Sequence, residues 1–542
     1  MKRITLLLLG ILCLPIFSYS GGIVNNQNQS AAYIRMFARD ASTDIDAVFF
    51  NPAGLTKLDD GFHLGLNYQY IKQNKIVTSN YPNLATMPTS PTDFEGKISV
   101  PLFPGVYAAY KTGKFAFSFG WNPVGGGGGA EFDKGLPSFE IPVSDLVPSL
   151  AAQGATAYSL DAFFEGSSVF WGYQLGASYE INDMFSVYLG ARYVTAKTTY
   201  AGHLTDVTVT MGGVETPAAT FFAGSANLIQ PLYEGLNGLS AGGAGSLTLD
   251  QALAATIIDA GTYAALAGGY AMFGLNPATH TIDQGTDVVD PQYLGARRAE
   301  YVLADQRDVE VEQTGSGLAP IIGVNISPND KLNIGLKYEF MTKLELENNT
   351  TTDFIIDYDY LTSTETGMFP DGAKFRNDMP AMLAAGLDYK ITDKLSVASG
   401  FHMYFDKSAN YGRKLNGVYV DNDEVIDRNS TEFALGFEYI VSDKLLLSIG
   451  YLNTQTGVSE DYQTDLSYSQ HSNTIGLGGA YAISSGIDLN VGFGYTVYND
   501  AQKTYIVNDA YGVPHETVEQ YDKDNLFISF GLDFKLFGKK AE

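Results

Sequence analysis

The sequence predicts an all-β fold, a 14-stranded antiparallel transmembrane β-barrel with an N-terminal hatch in its lumen, and three observations lead there. Apolar residues alternate with small or polar ones in many rows, the connections between rows are short and long in turn, and an apolar segment without alternation precedes the first row.

Before that segment, residues 1–20 read as an export signal: Lys2 and Arg3 are basic, residues 4–17 are apolar, and Ser18 to Ser20 offer small residues for cleavage. The mature chain is expected to start at Gly21. Cys13, the only cysteine, lies inside the signal, so no disulfide and no thiolate metal site is expected. The formal net charge of −27 excludes polyanionic partners such as nucleic acid. Hydrophobic residues make up 45% of the chain and aromatics 13%, yet mean hydropathy is only −0.04. Apolar material so dispersed suits strands better than spanning helices. The run 252–275, with Asp259 as its single charge, is read as an apolar loop helix rather than a membrane span.

Alternation identifies the strands, because successive side chains point to opposite faces of a barrel wall. Phe62, Leu64, Leu66, Tyr68 and Tyr70 form one row, expected to face lipid, with His63, Gly65, Asn67 and Gln69 facing the lumen. Phe115, Phe117, Phe119 and Trp121 repeat the pattern, as do Leu395, Val397, Phe401, Met403 and Phe405. A water-soluble sandwich would alternate too, so the connections decide. Six short polar turns (111–114, 181–183, 327–331, 392–394, 442–444 and 484–486) interleave with seven long stretches (71–97, 122–165, 201–308, 342–373, 407–428, 456–468 and 499–522). Thirteen connections join fourteen strands, an even number that leaves both ends on the periplasmic side of a Gram-negative-type outer membrane. The last strand, 526–537, carries Ser529, Gly531, Phe534 and Leu536 at the spacing of a barrel-assembly signal, and the charged tail 538–542 departs from a terminal aromatic. Residues 61–542 are thus barrel with outer loops, the largest being 201–308.

A barrel of this width leaves an aqueous lumen unless something fills it. Residues 21–60 are assigned that role, since a disordered leader would not carry Ile45, Val48, Phe49 and Phe50 together. Within it, Arg39-Asp40-Ala41-Ser42 and then Ala47-Val48-Phe49-Phe50-Asn51-Pro52-Ala53-Gly54-Leu55 resemble the hatch of FadL-type outer-membrane transporters, with Asn51, Pro52, Ala53 and Gly54 as the hallmark.

That resemblance, which extends over the mature chain, implies uptake of a hydrophobic small molecule, such as a long-chain fatty acid. Cargo would land on an apolar outer groove, pass to an interior pocket and leave sideways into lipid through a break in the third strand. The matching break is expected where the third strand, 115–122, runs into Pro123 and the following glycines, at Asn122, Pro123, Gly125 and Gly126; the alternative is an ordinary loop start. Phe221, Phe222, Leu228 and Ile229 are the candidate groove residues, or else part of a loop that packs on itself. The family's basic carboxylate ligand is matched by Thr195, so Arg192, Lys197 and Arg376 are the candidates in its place. Aromatic hydrocarbons and other lipids stay open as cargo, and a general porin or a surface-ligand receptor as function. The expected partners are the cargo and outer-membrane lipid, with the barrel a monomer. No cofactor or metal is expected, and no enzyme activity: His63, His203, His280, His402, His471 and His515 are scattered with neither a nucleophile motif nor metal spacing.

Overall fold

The computed structural model describes residues 27, 29–84, 92–304, 307–415, 418–508 and 513–536; the expected export signal, the first residues of the expected hatch and the charged tail lie outside them. The wall is a closed antiparallel barrel of 14 strands. In chain order these are β1 Gly61–Ser79, β2 Thr92–Thr112, β3 Phe115–Phe132, β4 Ala155–Glu180, β5 Phe185–Met211 and β6 Arg307–Asn329. Next come β7 Leu332–Glu339, continuing as Glu345–Thr352, and β8, formed by Lys374–Arg376 and Met382–Lys390. β9 Leu395–Tyr404, β10 Ser430–Ser442, β11 Leu445–Gln455 and β12 Ser472–Ser484 follow. The barrel ends with β13 Ile487–Tyr498, extended by Ala501–Asn508, and β14 Pro514–Leu536. It closes where β14 pairs with β1, from Phe62↔Leu536 to Ser79↔Glu519.

All six short turns lie where the sequence puts them, but several long connections are shorter than expected. β3 does not end at Asn122 but runs on to Phe132, and most of 499–522 is strand rather than loop. The reason is solvent. Above Tyr70 the outward row of β1 becomes Lys72 and Asn74 and the inward row Gln73 and Lys75. Water on the outside removes the apolar alternation while the backbone ladder continues unchanged.

At membrane height the outward row is apolar all round, and Leu189 is 70% exposed with Phe117, Leu175, Ile449, Leu477 and Phe530 also exposed. A continuous apolar belt of this kind requires lipid as its solvent. No helix among the described residues is long and apolar enough to cross a membrane. The run 252–275 instead supplies parts of two short helices, Leu249–Ala254 and Ala260–Met272. They pack with Ala218–Leu239 and Ile282–Val302 into a helical lid with its own apolar core.

A belt of glycines lies across the middle of the inward wall and went unread in the sequence. Gly335, Gly386 and Gly400 are cross-strand partners in turn, as are Gly436, Gly450, Gly476 and Gly494. A Cβ at Gly335 would sit 2.0 Å from the Asp40 carbonyl oxygen, at Gly450 2.2 Å from that of Met36, and at Gly476 2.1 Å from that of Ile34. The wall is bare there so that the N-terminal segment can lay its backbone against it.

Candidate functional site

The N-terminal segment fills the lumen at the height of that belt. Ser30 caps the short helix Ala31–Met36 by accepting from the Tyr33 N–H. Beyond it the chain folds around one buried ion pair, with Arg39 Nε 2.8 Å from Asp46. The hydroxyls of Ser42 and Ser30 also donate to Asp46, at 2.6 and 3.2 Å. Burial acts to raise the Asp46 carboxyl, but Arg39 and the two hydroxyls outweigh it and hold it below the usual carboxylate range. Asp46 therefore stays charged until the medium is strongly acidic.

Side-chain bonds tie the segment to the wall. His402 on β9 places Nε2 2.8 Å from Asp40 and Nδ1 2.8 Å from Glu432 on β10. Lys337 on β7 donates to the Phe49 carbonyl at 2.9 Å, and Arg35 pairs with Glu438. The hallmark element adds further ties. Asn51 donates to the Val324 carbonyl at 3.0 Å, the Pro52 carbonyl accepts from Ser178 at 2.6 Å, and the Ala53 carbonyl accepts from Thr56 and Ser186. Gly54 is required, since a Cβ there would lie 2.2 Å from the Ser42 carbonyl oxygen.

Arg39→Ala would leave Asp46 as a buried carboxylate without its countercharge, a loss of about 3–5 kcal/mol. Hydrogen exchange is expected to accelerate over residues 31–56 while the barrel strands stay protected. Unchanged protection there would show that the pair does not hold the segment.

Two separate spaces flank this segment. On the periplasmic side is a vestibule of about 630 Å³ with Arg39 and Ser42 in its lining. On the outer side is a cavity of about 480 Å³ over Tyr33 and Phe37, and no residue lines both.

The outer cavity reaches an irregular stretch of the wall between β2 and β3. The β2–β3 ladder is interrupted between Val106↔Trp121 and Ile98↔Ala130, an irregularity that spans 99–105 and 122–129. β3 stays paired with β4 throughout, with register shifts at Pro123/Gly125 and Gly126/Gly128, so the interruption is one-sided. Ile98 and Val100 lean into it: a Cβ at Gly128 would be 2.8 Å from Ile98 Cγ2 and 2.5 Å from Val100 Cγ2. All three residues, with Gly126, line the cavity. The lower part of this stretch is held by the segment itself, where Asn122 donates to Gln29 at 2.9 Å and Gln29 to the Pro123 carbonyl at 2.8 Å. Asn122, Pro123, Gly125 and Gly126 thus all sit at the interruption, the first two tied to the N-terminal segment.

The other candidates are placed elsewhere. Phe221, Phe222, Leu228 and Ile229 lie on the first lid helix, and none lines the cavity. Ile229 is buried in the core of the lid and Phe222 in a core that the lid shares with Val143, Leu146, Tyr158 and Val207, Phe221 packs edge-on to Phe222, and Leu228 is 67% exposed. Arg192 faces inward but is taken by Glu339 and Gln174, with its guanidinium 5.0 Å from the Phe49 ring. Lys197 is on the outward row with Leu189 and Tyr193 and pairs with Glu312, so the pleat of β5 turns it away from any interior ligand. Arg376 holds Asp378 at 2.6 Å. Two cations overlooked in the sequence do line the cavity, Lys75 on β1 and Lys523 on β14, and they are direct cross-strand partners. Carrying the alternation of β1 past Tyr70 would have placed Lys75 on the lumen row.

No protein-family model matches this sequence, and no curated protein does. Among solved structures, a Pseudomonas aeruginosa FadL homologue aligns with a TM-score of 0.57 at 13% identity, over 95% of this chain and 99% of that one. The P. putida toluene transporter TodX aligns at 0.45 and 13% identity, over 91% and 94%. The Ralstonia pickettii toluene transporter TbuX aligns at 0.45 and 14% identity, over 90% and 94%. The first of these establishes a shared fold.

Proposed function

We propose that this FadL-fold barrel takes up hydrophobic molecules across the outer membrane, with long-chain fatty acids as the cargo and the interrupted stretch beside β3 as the exit. The observation that carries the reading is the outer cavity, which has Tyr33 and Phe37 of the N-terminal segment in its lining and reaches the interruption of the β2–β3 ladder. Cargo of low polarity gains about 0.8 kcal/mol for each methylene moved from water into lipid. A side exit delivers it there directly, whereas a hydrophilic solute would gain nothing by that route. The hatch assignment of residues 21–60 rests on the same arrangement, since the described part of the segment separates the two spaces.

An open porin is the rival reading, and liposome swelling separates the two. Liposomes carrying the intact protein are expected to swell in arabinose no faster than empty ones. Swelling at the rate of an open porin would contradict the proposal.

A further inference from the structure

The largest outer connection does not roof the cavity. None of the described residues of 201–308 lines it, whereas residues 465–470, in the connection between β11 and β12, all do. That connection, 456–471, forms a strap whose feet stand on β11 and β12 and whose tip reaches the β3–β4 connection on the other side of the lumen. The tip is a tight turn, in which Thr464 and Ser467 exchange backbone bonds of 3.1 Å. Its base is anchored: Tyr468 stacks on Tyr521 with ring centres 4.7 Å apart, Gln470 donates to the Asn499 and Tyr521 carbonyls at 2.9 and 2.7 Å, and Lys503 donates to the Gln463 carbonyl at 3.0 Å.

At the end of the strap Asp465 accepts the Ser138 N–H at 2.9 Å, in the first turn of the helix Pro137–Ser144. Beside it Leu466 packs against an apolar cluster that contains an arc of rings. Phe354 meets Phe139 at 5.9 Å, Phe139 meets Phe164 at 5.5 Å, Phe164 meets Tyr200 at 6.1 Å, and Tyr200 meets Phe369 at 5.1 Å. Phe164, Tyr200 and Leu466 also line the cavity, so the arc leads into it. The polar bonds of the tip, Ser138 to Asp465 and Arg413 to the Ser467 carbonyl at 3.3 Å, can be exchanged for bonds to water at small net cost. Withdrawing Leu466 from the arc exposes apolar surface, and water offers nothing in exchange.

We propose that the strap is the outer gate of the cavity, with Leu466 set in the arc of rings as a stopper that an apolar chain displaces in order to enter. The exchange is like for like. A cargo chain covers the rings as the leucine leaves them, which offsets what opening costs, and the anchored base lets the tip swing back. A sugar or an ion covers no apolar surface and meets a closed gate. Apolar solutes are thereby selected before the cavity is reached. The gate rests on the uptake reading and names the point at which entry is controlled.

The test times the association of labelled oleate with the full-length protein in phospholipid nanodiscs, with empty nanodiscs subtracted and heat-modifiable gel mobility as the check on folding. Leu466→Ala is expected to load oleate about tenfold faster than wild type, because most of the apolar surface of the stopper is gone. Leu466→Gln, close to leucine in size but polar, is expected to act in the same direction, and Leu466→Met to keep the wild-type rate. A purely structural role for Leu466 predicts unchanged or slower loading in the first two variants. If either of them loads no faster than a wild type that does bind oleate, the gate is overturned and the uptake reading stands. Association with none of the proteins, wild type included, overturns both.

Discussion

A Val100→Cys/Gly128→Cys variant, once oxidised, is expected to lose uptake to the level of cells without the protein, and to regain it on reduction. The geometry favours the staple. A Cβ built at Gly128 lies 3.9 Å from Val100 Cβ, inside the range of about 3.5–4.5 Å that disulfides span. Val100→Cys also removes the methyl that a Gly128 side chain would meet. Cys13, in the expected export signal, is the only native cysteine, so mispairing has little opportunity. The bond would cross the wall where the β2–β3 ladder is interrupted, between 99–105 and 122–129, while β3 keeps its pairing with β4. Folding should therefore be spared and passage stopped. Uptake that persists in the fully oxidised protein would place the exit elsewhere.

Deleting residues 21–55 is expected to convert a closed barrel into a conducting one. In a planar bilayer the intact protein should show background current and the deletion a steady open level, because fourteen strands without a filler enclose a continuous aqueous lumen. The wall does not need the segment to close, since β1 and β14 pair directly along their length. Gly450→Val should act in the same direction more weakly, as its Cβ would press on the Met36 carbonyl from 2.2 Å. Equal conductance with and without the segment would mean that it plugs nothing.

The fold was legible in the sequence wherever lipid imposed a pattern. Leu64, Leu66 and Tyr68 mark β1 because one face of that strand must be apolar at membrane height, and turns such as 392–394 mark the periplasmic ends. Lys72 and Asn74 face water, where no such constraint acts, so the outer part of the same strand reads as loop. The folded N-terminal segment was legible for a different reason. Arg39, Ser42 and Asp46 bond to one another within one short stretch of chain, so their spacing survives in the sequence.

The candidate binding residues were harder to read because their surroundings depend on distant partners. Arg192 looks available until β7 brings Glu339 to it, and Lys197 looks equivalent to it until the pleat turns the two to opposite faces. Phe222 and Ile229 advertise an apolar groove but are buried, Ile229 where the lid helices meet and Phe222 where the lid meets Val143, Leu146 and Val207. Lys75 and Lys523 meet only when the first and last strands join. The mid-strand glycines were the one long-range signal available: a small residue recurring at the centre of strand after strand means that something lies against the wall.

Labelled oleate supplied to cells that lack their own fatty-acid channel is the measurement that tests uptake of a hydrophobic cargo. Cells expressing this protein in the outer membrane are expected to accumulate oleate above those carrying an empty vector. Folded protein in the membrane with no accumulation of oleate, or of a neutral alkylbenzene, would contradict the account.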